Sequence, residues 1–183
     1  MNKKIWIVLS LPIILGCQTL LTPSSREAAP QTPPGLDSTQ SAQTSTQTEF
    51  IDYGTFTLSR IHVGNGDLLA QLATESDKAN AMGLSPFIEF DATWCPPCQA
   101  INASIASKDP LTLKAFDGIY LIRADVDEWG WGNKTNFDFE AIPIYYKLNK
   151  DGLPSGDKVD GGAWNEDIPE NFAPVLDNFF HQH

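Results

Sequence analysis

Pro86-Phe87-Ile88-Glu89-Phe90 and, a few residues on, Trp94-Cys95-Pro96-Pro97-Cys98 place a closely spaced cysteine pair directly after an apolar run and at the start of a helix-patterned segment. That arrangement is what dithiol chemistry requires. A strand ending in a tight turn delivers Cys95 to the surface, and the helix that follows points its unpaired N–H groups and positive dipole end at the sulfur. The thiolate, the form that attacks a disulfide, is thereby favoured. Cys98, one helical turn on, is placed to resolve the mixed disulfide by closing the internal bond. Trp94 covers the pair on one side and offers a flat apolar contact to a partner chain.

Two plainer uses of the pair fit less well. A structural disulfide between residues this close closes a very small loop, restricts the unfolded chain little and so stabilises poorly. Half a zinc site would need further ligands. Cys17 is remote in sequence, and His62, His181 and His183 form no ligand-spaced cluster with the pair. Redox chemistry is the reading that remains, and no metal or organic cofactor is implied.

The N-terminus sets the compartment. Met1-Asn2-Lys3-Lys4 precedes an apolar run from Ile5 to Leu15, the charged and apolar regions of an export signal, too short for a comfortable membrane span. Ile14-Leu15-Gly16-Cys17 resembles the lipobox of bacterial lipoproteins, in which the cysteine is lipid-modified and becomes the mature N-terminus; an ordinary secretory signal followed by an unrelated cysteine is the alternative. On the lipoprotein reading residues 1–16 are the signal peptide, Cys17 carries lipid, and the protein sits in the bacterial cell envelope facing the periplasm or cell exterior. The acyl chains then provide the membrane attachment. The formal charge of −11, with the signal contributing only Lys3 and Lys4, argues against nucleic-acid binding and against a polybasic grip on anionic lipid.

Residues 17–49 are expected to form a disordered tether. Ser, Thr, Gln, Pro and Ala dominate, as in Ser41-Ala42-Gln43-Thr44-Ser45-Thr46-Gln47, and such a segment buries too little apolar surface to offset its ordering entropy. Residues 50–183 are the right size for one domain. There the patterning alternates: a strand over Gly54–Ile61, a helix capped by Asp67 carrying Leu68, Leu69, Leu72 and Ala73, a strand over Phe87–Phe90, and a helix after Cys95 with Ile101 and Ile105 inward. A central strand over Ile119–Val126 follows, then Ile144–Leu148, a turn at Asn149-Lys150-Asp151-Gly152, a short strand around Lys158-Val159, and a final helix interrupted or restarted at Pro174. This order implies an α/β fold, a central mixed β-sheet flanked by helices on both faces.

From about Phe50 to Phe180 the chain resembles a thioredoxin. Beyond the cysteines, the family's acid in the strand before the motif is matched by Glu89, and the facing lysine of the next central strand by Arg123. The cis-proline loop is matched by Ala141-Ile142-Pro143, and the glycine near the last strand by Gly161 or Gly162. The resemblance implies the thioredoxin fold and a thiol-disulfide oxidoreductase, which the export signal would place outside the cytoplasm. Cys95 attacks, Cys98 resolves and pairs with it in a redox-active disulfide, and Glu89 takes the resolving proton. Pro143, if cis, turns Ile142 toward the cysteines to bind an extended substrate, with Trp94 lining the contact. Arg123 either pairs with Glu89 or points outward; unlike lysine it cannot give up its proton.

Two departures stand out. Asp91 occupies a position where the family commonly has an aromatic residue, and a carboxylate there opposes the Cys95 thiolate unless it points to solvent. Trp129-Gly130-Trp131-Gly132-Asn133 sets two tryptophans in a glycine loop, either an exposed partner surface or aromatics folded back onto the core. The implied partners are exported proteins bearing disulfides or thiols, together with a redox partner that the sequence does not name. Pro96-Pro97 adds no charge to stabilise the thiolate, so reduction or exchange is favoured over oxidation; an oxidase or isomerase of secreted proteins, or an anchored peptide-binding module without turnover, are the alternatives.

Overall fold

Asp67 accepts the N–H groups of Leu69 and Ala70 through its carboxylate and so starts the first helix, α1 (Leu68–Met82), as its capping pattern predicts. Gly83, in the left-handed conformation, ends it. This computed structural model describes residues 48–132 and 136–182, all within the unit Gln43–His183. The expected signal peptide, most of the tether and the lipidation residue Cys17 lie outside the described residues. Among the described residues no helix is long and apolar enough to cross a membrane.

The remaining elements are β1 (Glu49–Asp52), β2 (Thr57–Ile61), β3 (Ser85–Asp91), α2 (Pro96–Ala106), α3 (Pro110–Ala115), β4 (Ile119–Asp125), α4 (Val126–Trp129), β5 (Ile144–Leu148), β6 (Pro154–Asp160) and α5 (Pro169–His181). The strands form one six-stranded sheet in the order β1-β2-β4-β3-β5-β6, with β2, β4 and β3 parallel and the other pairs antiparallel. The mixed α/β sheet covered on both faces that the patterning implies is therefore present. β4 and β3 are almost wholly buried, consistent with their apolar runs.

Alternation along the strands divides the core. Ile88, Phe90, Tyr120 and Ile122 share one cluster with Leu72 and Ala79 of α1 and with both cysteines. Phe87, Leu121 and Tyr145 share the other with Ile101 and Ile105 of α2 and Phe172, Leu176 and Phe180 of α5. Three local readings need correction. β1 adds an exposed edge strand that composition did not signal, and α3, capped by Asp109, is a short helix absent from the pattern reading. α5 also runs unbroken through Pro174. An interior proline costs about 3 kcal/mol. Burial of Phe172, Leu176 and Phe180 along one stripe contributes roughly 1.5–3 kcal/mol each and outweighs it.

The inner face of α1 is less apolar than its leucines imply. Glu75 is buried and accepts hydrogen bonds from the Ser59 hydroxyl at 2.8 Å, the Tyr120 hydroxyl at 2.5 Å and Lys78 Nζ at 2.6 Å. Burial alone would raise its pKa, but these donors outweigh burial and bring it below the ordinary value of 4.5. A carboxyl with a depressed folded pKa stabilises the fold above its unfolded pKa, and that contribution is lost as pH falls through the folded value. Glu75→Gln should therefore lower stability by about 2 kcal/mol at pH 7. In urea unfolding the gap from wild type should close as the pH is taken well below 4.5.

Candidate active site

β3 ends at Asp91, and the chain turns over Ala92, Thr93 and Trp94 into α2, the turn closing with the Cys95 N–H on the Ala92 carbonyl at 3.2 Å. Cys95 is the N-cap of α2, and its sulfur accepts the Cys98 N–H at 3.3 Å. Pro96 and Pro97 stand at first-turn positions, where a missing N–H loses no helical bond. The two cysteines are joined, with an S–S distance of 2.04 Å and Cα atoms 5.3 Å apart. The expectation of a surface Cys95 needs correction for this oxidised form, in which Cys95 is 2% and Cys98 0% exposed. Both cysteines belong to the same apolar cluster as Ala92, Val126, Phe137 and Phe139. Trp94 takes the outer position at 52% exposure, its indole N–H held by Asp127 Oδ2 at 2.8 Å.

Ile142 and Pro143 are joined by a cis peptide bond, and Ile142 packs against the cluster that contains both cysteines. The Pro143 carbonyl accepts the Gly161 N–H at 3.0 Å, which ties this loop to the end of β6.

A polar row crosses the sheet beside the dithiol turn. Pairing places Glu49 opposite Arg60, Arg60 opposite Arg123, Arg123 opposite Glu89 and Glu89 opposite Tyr145. Side chains directly opposite in register share a face of the sheet. Glu89 is 1% exposed; it accepts from Arg123 Nε at 2.7 Å and from the Tyr145 hydroxyl at 2.8 Å. Arg123 thus pairs with Glu89 and does not point outward. Burial raises the Glu89 pKa from its ordinary value of 4.5; the charge of Arg123 opposes the rise and that of Asp91 adds to it. A raised pKa makes the carboxyl a better proton acceptor than an ordinary carboxylate.

Asp91 is neither solvated nor alone. It is buried, and Arg60 grips it with two hydrogen bonds, Nη1 to Oδ1 at 2.9 Å and Nη2 to Oδ2 at 2.6 Å. The expected penalty on the Cys95 thiolate is therefore offset by a compensating cation. Arg60, Tyr145 and Asp127 were not singled out from sequence. Arg60 sits in an alternating strand like any outward-facing arginine, and only the β2-β4-β3 register carries it over to Asp91. The two tryptophans of the glycine loop divide: Trp129 is buried, donating its indole N–H to the Ile61 carbonyl at 3.3 Å, whereas Trp131 is 43% exposed.

No family model matches the chain. Over 88 residues, 48% of the chain, it is 31% identical to a thiol:disulfide interchange protein of Synechococcus elongatus and 33% identical to an H-type thioredoxin of Picea mariana. Over 79 residues it is 35% identical to an H-type thioredoxin of Brassica campestris. These matches span 45%, 64% and 58% of the relatives, so the chain spans less than two thirds of the length of each. Among solved structures, a Plasmodium falciparum thioredoxin aligns with a TM-score of 0.42 and 19% identity, over 63% of this chain and 85% of that one. The domain is a six-stranded mixed sheet with helices packed on both faces. The β2-β4-β3-β5-β6 sheet and the α2 turn bearing the cysteine pair are the parts of that fold that build the site.

Removing Arg60 leaves Asp91 as a buried, unpaired carboxylate. Arg60→Met should cost about 3 kcal/mol, the range for breaking one side of a buried pair. Arg60→Met combined with Asp91→Asn should recover most of that loss in urea unfolding at pH 7.

Proposed function

We propose that the chain is a thiol-disulfide oxidoreductase of the thioredoxin family that reduces or exchanges disulfides in exported proteins. The observation that carries this reading is the Cys95–Cys98 pair at the N-terminus of α2, with the Glu89 carboxyl buried in the adjoining sheet. In the reduced protein the Cys95 thiolate attacks one sulfur of a substrate disulfide, and the other substrate sulfur leaves as a thiolate. Cys98 gives up its proton, with Glu89 as acceptor, and attacks the Cys95 sulfur. The second substrate sulfur is released as the internal disulfide forms. Two electrons pass from the protein dithiol to the substrate, whose thiolates take up the two protons that the dithiol has lost.

The remaining roles follow the same reading. Ile142 and Pro143 position the extended substrate, and Trp94 lines the contact. The protein is held by lipid on Cys17 to a bacterial envelope membrane, facing the periplasm or exterior, with the segment from Gln18 to about Thr48 as its tether. Donor thiols from a separate redox partner regenerate the dithiol.

Insulin reduction, followed by turbidity, should be abolished in Cys95→Ser/Cys98→Ser, and Cys98→Ala should accumulate mixed disulfides with its substrates. Undiminished reduction by the double mutant would sink the catalytic reading. Alkylation of the reduced protein at neutral pH should label Cys95 before Cys98. Glu89→Gln keeps the side chain's shape and one acceptor oxygen but removes the proton acceptor, and should slow turnover by about a hundredfold near neutrality. Cys17→Ser should leave the soluble fraction active and the membrane fraction empty; retention on salt-washed membranes would exclude the lipid anchor.

A further inference from the structure

The exposed indole of Trp131 stands 6.1 Å from that of Trp94 and 6.3 Å from Phe139, whose own ring lies 4.7 Å from Phe90 in the core. An aromatic wall thus runs from the core to the surface beside the dithiol. Its outer part is built into the loop and is not a chance excursion of a side chain. Gly132 lies so close to Phe139 that a Cβ would come 2.3 Å from the Phe139 backbone N and O, so only glycine allows that approach. Gly130, at φ 79°, makes the preceding turn. Asp127 holds the Trp94 indole N–H, which fixes the other half of the wall.

The rim of this wall is acidic. Asp127, Glu128, Asp138 and Glu140 are all exposed, and across residues 127–142 the sequence sets these four acids against one base, Lys134. Lys158 does reach this loop, with its ammonium on the Asp138 carbonyl at 2.8 Å, and His62 meets Glu128 at 2.9 Å. The acidic excess remains, and the chain as a whole carries −11. Two indoles exposed at 52% and 43% form an apolar, π-rich surface that attracts aromatic side chains and cations alike.

We propose that the Trp94–Trp131–Phe139 wall and its acidic rim select extended polypeptide segments that carry aromatic and basic side chains next to the reacting cysteine. This rests on the oxidoreductase reading for its purpose, but the surface is tested without turnover. The occupant's positive charge follows from the rim, and its aromatic groups from the paired indoles. Trp131 acts through substrate contact and takes no part in sulfur chemistry.

The test uses the full chain in its oxidised form and two cysteine-free peptides of equal length, one with Lys and Phe and one with Asp and Phe, followed by tryptophan fluorescence. The basic peptide should bind at least tenfold more tightly at low ionic strength, with the difference shrinking as salt is added. Trp131→Ala and Gly132→Ala should each weaken binding of the basic peptide by about tenfold, equivalent to about 1.4 kcal/mol. Equal binding of the two peptides, no binding of either, or wild-type affinity in Trp131→Ala would overturn the proposal. In a second arm the reduced protein is given hydroxyethyl disulfide and disulfide-bridged versions of the same peptides. Trp131→Ala should lower kcat/KM for the basic peptide and leave the small disulfide untouched. Equal losses on both substrates would overturn the proposal, because the tryptophan would then act on the dithiol itself. Selective peptide binding with no reduction of any disulfide would support the surface and refute the catalytic reading instead.

Discussion

Two ion pairs, Arg60–Asp91 with a buried carboxylate and a part-exposed guanidinium, and the buried Arg123–Glu89, cross the sheet next to the turn that carries the cysteines. Buried carboxylates and guanidiniums are costly unless paired and hydrogen-bonded, so the two acids of β3 and the two arginines of β2 and β4 must meet together or not at all. A slip of one residue in either parallel pairing would turn the charges to the other face, into apolar side chains. The pairs thus require the β2-β4-β3 register. That register in turn places the end of β3, and with it the α2 N-terminus and Cys95.

The same network separates charge from the dithiol. Asp91 is buried at the end of β3, four residues before Cys95, and an uncompensated carboxylate there would oppose thiolate formation. Arg60 reaches across β4 and neutralises it. Glu89 is treated differently, buried with a single cation and a tyrosine hydroxyl, so that burial dominates and its carboxyl is held toward the neutral form. Two acids one pleat apart on the same strand thereby differ in their surroundings: Asp91 is held by two guanidinium hydrogen bonds, Glu89 by one guanidinium and a tyrosine hydroxyl.

Around this centre the apolar packing is conventional, but its outer edge is not. The aromatic contacts from Phe90 through Phe139 to Trp131 continue the core out to solvent beside the dithiol turn. Gly130 and Gly132 allow the loop to run close enough for that continuity. Recognition and rigidity therefore share the same contacts, and an exposed indole is held in place at little further cost in side-chain freedom.

The sequence by itself determined the elements whose signals are local: the Asp67 cap, the alternating strands, the turn at Asn149–Gly152, and the cysteine pair entering a helix through two tolerated prolines. These depend on spacing and on backbone chemistry within a few residues. Tertiary structure alone decided which polar side chains meet. Nothing local distinguishes Arg60, reaching Asp91 across an intervening strand, from a solvated arginine, or Glu75 beneath α1 from an exposed helix glutamate. The fates of Trp129 and Trp131 diverge for the same reason, since two tryptophans in one loop carry equal apolar character and only the surrounding surface decides which is buried. Partners distant in sequence are brought together by register and packing, and the burial that follows sets their charge, their exposure and their use.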